Sequence, residues 1–233
     1  LQAQACAAYE RFEFHRVVQA MQNFCSEDLG AFYLDILKDR LYTTAADSRP
    51  RRAAQNALHH ILQSITRLMA PVLSFTAEEI WRLTSGRADD TVMIHGWHAL
   101  PESVEDEAAL LSRWQALREV KSSVQKVLEE LRVAGKIGSS LAAEVILRAP
   151  GEAHDLLASL GDDLRFLLIV SGVRLERAEA ASTVHVEAQP STHRKCARCW
   201  HYRADVGAHP GHPELCGRCH ANLFGSGECR THA

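Results

Sequence analysis

The chain of 233 residues has no apolar run of ~18 residues, so no stretch of it reads as a membrane-spanning helix. It has no Gly-x-x-x-x-Gly-Lys-Ser/Thr loop and no Gly-x-Gly-x-x-Gly, which removes the two common glycine-rich phosphate cradles. His-Glu-x-x-His is missing, and Gly138-Ser139-Ser140 lacks the Gly-x-Ser-x-Gly frame of a nucleophile elbow. The histidines form no spacing that implies a catalytic centre. There is no internal repeat, no low-complexity run and no charged-then-apolar leader; a chain that starts at Leu1 without methionine is expected to be part of something longer. These absences argue against a self-contained enzyme and for a binding module.

What is present is concentrated in the tail. Cys196-Ala197-Arg198-Cys199 is followed sixteen residues later by Cys216-Gly217-Arg218-Cys219. Cys-x2-Cys-x16-Cys-x2-Cys is the spacing of a four-thiolate zinc site. Each Cys-x-x-Cys is a tight turn that aims two sulfurs at one point, and two such turns place four at the corners of a tetrahedron. Gly207, Pro210, Gly211 and Pro213 let the intervening segment fold back between them. Three other readings compete: a pair of disulfides, a redox dithiol, and haem attachment through Cys216-Gly217-Arg218-Cys219-His220. The dithiol motif usually accompanies a βαβ pattern, and haem would leave Cys196 and Cys199 unexplained. His193, His201, His209 and His212 lie near enough to replace a ligand, but four cysteines leave no vacancy. A closed four-thiolate site is structural, whereas catalytic zinc keeps an open position. Cys6 and Cys25 sit in apolar helical patterns and read as plain core residues, and Cys229 reads as free. Seven cysteines, four in metal spacing, fit a reducing compartment.

The net charge of −3 hides a gradient. Residues 1–136 carry 16 basic and 18 acidic side chains, residues 137–192 carry 4 and 8, and residues 193–233 carry 6 and 3. The tail is therefore basic around an anionic zinc–thiolate centre; such a patch can meet phosphate, although a few scattered arginines are usually just a solvated face.

The periodicity predicts a mainly α fold: an antiparallel helical bundle over 1–100, a long helix with a small α+β junction module over 101–190, and a zinc knuckle over 191–233. Residues 1–22 read as one helix through Tyr9, Phe12, Phe14, Val17 and Met21. Ser26 reads as the N-cap of a second, running to Leu41. The segment Thr43–Pro50 breaks it, and a third helix starts near Arg51 and ends at Pro71. Thr76-Ala77-Glu78-Glu79 reads as a capping box opening a fourth. Residues 91–97 read as an extended link, and 103–134 as a long helix with Leu117, Val124 and Leu128 on its apolar side. Its basic residues read as a salt-bridged solvent face. Ala142–Arg148, Phe166–Val170, Val173–Glu176 and Thr183–Val186 read as strands, the second with a helical alternative over Asp162–Leu168. Pro150-Gly151 reads as a turn, residues 152–160 as a short helix, and Ala178–Gln189 as including a loose connection.

Several stretches converge on one family. Residues 8–43 (AYERFEFHRVVQAMQNFCSEDLGAFYLDILKDRLYT) and 67–81 (RLMAPVLSFTAEEIW) resemble the anticodon-binding bundle of class I aminoacyl-tRNA synthetases for branched aliphatic amino acids. Residues 117–147 look like the junction segment that follows it. The end, KCARCWHYRADVG…LCGRCHANLFGSGECR, resembles the zinc knuckle of the bacterial isoleucyl enzymes. The resemblance covers nearly the whole chain, and the tail narrows it from the valyl, leucyl and methionyl branches.

The resemblance implies the C-terminal region of an enzyme that activates isoleucine with ATP and esterifies it to its tRNA. The family's His-Ile-Gly-His and Lys-Met-Ser-Lys-Ser signatures and its editing segments are absent from these residues, so ATP belongs to the full-length enzyme. Cys196, Cys199, Cys216 and Cys219 carry over as ligands of one structural zinc. Arg198 and Trp200 match positions implicated in contacting the anticodon loop. A ring such as Trp200 can stack an unpaired base or pack the knuckle's own core; Arg198 can stack or bind bidentately. Arg194, Lys195 and Arg203 are generic phosphate candidates, with Arg51 and Arg52 weaker. The implied partners are the anticodon arm of isoleucine tRNA and the catalytic and editing domains of the same enzyme, in a cytoplasmic monomer with no membrane. Two rivals remain: a DNA-repair glycosylase-type zinc finger, and a knuckle that only locks a C-terminus in place.

Overall fold

The fold was taken from a computed structural model that describes residues 1–87, 89–102, 106–178 and 181–232. The chain forms two compact bodies.

The first body comprises Leu1–Asp35 and Arg52–Glu102. It opens with α1 (Gln2–Glu10) and α2 (Phe14–Asn23). The expected single helix over 1–22 is thus two, broken at Phe12, whose φ of 57° no right-handed helix contains. The apolar stripe runs through the corner because both helices bury the same side: Ala5, Ala8 and Val17 pack with Leu68. The alanines let the backbones approach, and the Tyr9 hydroxyl donates to the Leu68 carbonyl at 2.6 Å. Ser26 caps nothing. After α2 the chain winds on as a π-helix over Phe24–Leu34, and the Ser26 hydroxyl turns back to the Asn23 carbonyl.

Helix α3 spans Asp35–Thr43 and α4 spans Arg49–Met69, so the expected break falls between them and Pro71 lies just past the end of α4. Helix α5 (Ser74–Ser85) begins two residues before the expected capping box, with Leu73 in the capping position and no side-chain cap. Glu78 has a different task. Its Oε2 accepts from the Thr91 hydroxyl at 2.7 Å and the Val92 N–H at 3.2 Å. These bonds, with Arg82, hold its carboxyl below the usual range. They pin the 91–97 segment, expected to be extended, as a 3₁₀ turn at Val92–Ile94 against Ala77 and Trp81.

The end of this body is tied down by His98. Arg67 donates to its Nδ1 at 3.0 Å, and its Nε2 lies 2.9 Å from His60 Nδ1. Arginine only donates, so Nδ1 accepts and the proton sits on Nε2, donating to His60. Burial, then the Arg67 charge, lower the His98 pKa.

The second body comprises Ile36–Arg51 and Ser103–Ala233. Asp106 caps α6 (Glu107–Val133) by accepting from the Ala108 and Ala109 N–H groups. Gly135, at φ 68°, ends it in the left-handed conformation. Leu117, Val124 and Leu128 are buried as expected. Lys121 is buried beside them, its ammonium donating to the Leu167 carbonyl at 2.9 Å.

Strand β1 (Ala143–Ala149) is the centre of a three-stranded sheet, parallel to β2 (Gly172–Arg177) and antiparallel to β3 (His185–Pro190). Alternate residues Ala143, Val145, Leu147 and Ala149 are buried, the period-two pattern of a sheet with one core face. A parallel pair needs a crossover. Helices α7 (Gly151–Ala158) and α8 (Leu164–Leu168) supply it, so Pro150-Gly151 starts a helix rather than a turn. The apolar run at 166–168 is therefore helical, the alternative reading, because a short run buried all round carries no period. Strand β3 begins two residues later than expected and takes up residues 185–189 of the supposed loose connection, of which residues 179 and 180 lie outside the described residues. The tail adds the two-stranded pair β4 (Arg194–Lys195) and β5 (Tyr202–Arg203), then α9 (Gly217–Phe224).

Candidate metal centre and nucleic-acid interface

Strand β4 leads into Cys196, and β5 follows Trp200, so the first Cys-x-x-Cys is the tip of a hairpin. The Trp200 N–H donates to the Cys196 carbonyl at 3.0 Å and the Cys196 N–H to the His201 carbonyl at 2.9 Å, closing that tip. The second pair sits at the start of α9. Asp205 reaches back from the intervening loop and accepts from the Gly217 N–H at 2.9 Å, satisfying one open donor of that helix end.

All four cysteines are buried, with their sulfurs within 4.8 Å of one another. Cys199 and Cys216 Sγ lie 3.8 Å apart. A tetrahedron with Zn–S bonds of about 2.3 Å has edges of about 3.8 Å, so the donor set fits one zinc. The same distance is nearly twice a disulfide bond, and all seven cysteines are free. One convergent four-sulfur cluster also leaves no room for separate redox or haem-linking pairs. The Cys216 N–H points at Cys196 Sγ at 3.4 Å, and an Arg198 N–H stands 3.8 Å from Cys219 Sγ; both favour thiolates. Crowding couples the thiols. Hydrogen bonds from Cys216 and Cys219 depress Cys199, and the sulfur at Cys199 in turn pushes Cys216 up to about 11 and raises Cys219. A dication at the centre would favour the deprotonated form of all four.

The histidines are elsewhere engaged. His201 is buried edge-on to Phe166, with Nδ1 3.3 Å from the Cys199 carbonyl. His209 stacks on His220 at 3.8 Å, and His212 on Phe224 at 4.2 Å.

The RNA candidates fall into two groups. Trp200 is 60% exposed and held at φ 66°, a left-handed conformation that a tryptophan rarely adopts, directly after Cys199 of the four-sulfur cluster. It is not the knuckle's core; Val206 and Leu215 pack against the cysteines instead. The Lys195 ammonium lies 5.4 Å from the Trp200 ring centroid. Arg194 and Arg203 face each other across β4 and β5, with Lys195 opposite Tyr202. Trp200, Lys195, Arg194 and Arg203 thus share one hairpin. Arg198 points the other way: its guanidinium donates to the Thr43 and Tyr42 carbonyls at the end of α3. Arg51 and Arg52 lie in the first turn of α4.

Sequence reading missed the group that fastens this knuckle. Asp39 on α3 accepts two bonds from Arg218 at 2.8 Å each, and one from Arg230. Glu228 lies 3.2 Å from Arg218 and 3.3 Å from Arg230. The Arg230 side chain is wholly buried, its guanidinium 3.5 Å from the Phe166 ring centroid. Asn222 donates to the Thr43 carbonyl at 3.0 Å. Burial pushes the Asp39 carboxyl up, but the bonds and charges of Arg218 and Arg230 outweigh it and hold the pKa at about 2. Arg218, a spacer in the ligand motif, is the only sequence signal, because it repeats the arginine at the same place in the first pair.

Two family models match the chain. "Anticodon-binding domain of tRNA ligase" covers residues 1–147, and "Zinc finger found in FPG and IleRS" covers 194–222. The second is shared by two protein classes; the first is not. Curated relatives similar over the whole chain include proteins named isoleucine–tRNA ligase from Aromatoleum aromaticum (61% identical), Thiobacillus denitrificans (58%) and Nitrosomonas europaea (55%). The match spans 25%, 24% and 25% of those proteins, so the chain is about a quarter of their length.

Proposed function

Since the chain belongs to the anticodon-binding family of tRNA ligases, we propose that it is the tRNA-gripping C-terminal part of an isoleucine–tRNA ligase and that its zinc knuckle touches the anticodon loop. In this reading the complete enzyme joins isoleucine to its tRNA with ATP in the cytoplasm, as a monomer. Activation and editing are the work of other segments of the same protein. The chain's own contribution is to bind and orient the anticodon arm. The matched relatives, identical at more than half of the positions, support the isoleucine assignment.

The observation that carries the contact is the exposed Trp200. An unstacked loop base offers a π-face, and a ring fixed beside a metal knuckle receives it with little entropy to lose. Lys195, Arg194 and Arg203 on the same hairpin attract the flanking phosphates. Arg198 serves the contact indirectly, by holding the hairpin tip that bears Trp200 to the end of α3. In Trp200→Ala, zinc content stays at one per chain while affinity for isoleucine tRNA drops by about 1–3 kcal/mol. An unchanged dissociation constant refutes the contact.

A further inference from the structure

A second polar site lies beside the hairpin. Glu144, Gly172, His193, Tyr202, Arg203 and Asp205 line a cleft of about 390 Å³, in the size range of small-ligand pockets. Its walls are fixed. The Ser171 hydroxyl accepts from the Tyr202 N–H at 2.6 Å and donates to the Leu141 carbonyl, joining β5 to the edge of the three-stranded sheet.

The carboxylate in the cleft is placed with care. Glu144 lies on the face of β1 away from the buried residues and accepts from the Ser191 hydroxyl at 2.6 Å. His193 Nε2 stands 3.6 Å from it. Gly172 is its partner on β2, and a Cβ there would come 3.3 Å from Glu144 Cγ. The glycine leaves the side chain its room. Arg203 makes no side-chain hydrogen bond among the described residues and is held only by a long ion pair, Nε to Asp205 Oδ1 at 3.8 Å. The cleft therefore offers a carboxylate acceptor, a guanidinium with no side-chain hydrogen bond of its own and the Tyr202 ring.

Resting on the RNA-binding reading above, we propose that this cleft receives one extruded guanine of the bound RNA loop, with Glu144 accepting from its Watson–Crick edge. An ionised carboxylate only accepts. Among the four standard bases, guanine alone carries two adjacent N–H donors on that edge, N1–H and the 2-amino group, which match the two carboxylate oxygens. Its O6 and N7 are the acceptors that an arginine fork recognises, and Arg203 supplies that fork. Uracil would set carbonyl oxygens against the carboxylate, and adenine and cytosine a ring nitrogen. The three cations of the hairpin, Arg194, Lys195 and Arg203, offset the repulsion between Glu144 and the phosphates.

The test uses the zinc-loaded full chain and RNA hairpins that differ only at one loop position, carrying guanosine, inosine or adenosine. Inosine lacks the 2-amino group. Wild type binds the guanosine loop on the order of tenfold more tightly than the inosine loop. Glu144→Gln loses that preference and binds inosine as wild type does. Gly172→Ala, which crowds Glu144 without altering its charge, also narrows the ratio. Trp200→Ala weakens all three hairpins and keeps the ratio. Zinc content and the thermal midpoint of each variant report folding separately. A guanosine-to-inosine ratio in Glu144→Gln equal to the wild-type ratio overturns the guanine site and leaves the anticodon reading standing. No binding of any hairpin by the wild-type chain overturns both.

Discussion

The first body and the zinc knuckle hold together by different physics. In the first body, small and aliphatic residues at helical spacing exclude water: Ala5, Ala8, Val17 and Leu68 in one cluster, Ala70, Ala77, Trp81 and Val92 in another. The knuckle has almost nothing apolar to bury. Its core is four cysteines, Val206 and Leu215, and its attachment to α3 is ionic, through Asp39, Arg218, Glu228 and Arg230. A body stabilised by many apolar contacts loses stability in increments, one contact at a time. A knuckle stabilised by one metal and one ionic cluster fails as a unit. The same economy leaves its outer surface free, so Trp200 can face solvent instead of filling a core.

Removing the metal is the largest perturbation. Structural zinc supplies on the order of 10 kcal/mol to a small finger, so chelation or Cys196→Ala unfolds the knuckle. Hydrogen exchange should then show lost protection over 194–224, with the helices of the first body still protected. Simultaneous loss in both would mean that the two regions do not differ as described.

Asp39→Ala comes next. It leaves Arg218 and Arg230 buried with Glu228 as the one carboxylate they still share, a loss of about 3 kcal/mol, measured as a lower denaturation midpoint of the zinc-loaded protein. Leu68→Ala tests the contrast from the other side. It opens a cavity in the first body worth about 2–5 kcal/mol and leaves zinc affinity unchanged. Leu83→Ala, at a residue 80% exposed on α5, should change the midpoint hardly at all.

A smaller effect than those of zinc, Asp39 and Leu68 is one of pH. The His98 pKa is depressed in the fold, so the native state prefers the neutral ring. Its contribution is present above the ordinary histidine value of 6.5 and is lost as pH falls below it. Lowering the pH from about 7 to about 5 should reduce the thermal midpoint of the first body, and His98→Gln should make that slope shallower.

How much of this the sequence reveals depends on how local each cause is. The four-cysteine cluster was legible because two Cys-x-x-Cys turns at this spacing have one common geometric solution. Helix α6 was legible because Leu117, Val124 and Leu128 recur at whole turns. The break at Phe12 was not, since the apolar stripe continues through it. The capping box at Thr76–Glu79 had the right letters, but α5 begins at Ser74, so Thr76 lies inside the helix instead of at its N-cap. The run at 166–168 is buried on every side and carries no period. The Asp39–Arg218 pair joins residues 179 positions apart, and nothing local announces it. Nor does anything local announce the bonds of Arg198, an RNA contact by resemblance, to the Thr43 and Tyr42 carbonyls.

The most direct test of anticodon recognition through the zinc knuckle is the affinity of the chain for isoleucine tRNA against valine tRNA, with zinc and after chelation, at two salt concentrations. The predicted result is a preference for isoleucine tRNA that depends on zinc and survives the higher salt. Equal, steeply salt-dependent binding to both tRNAs, the same with and without the metal, would reduce the interaction to phosphate attraction and contradict it.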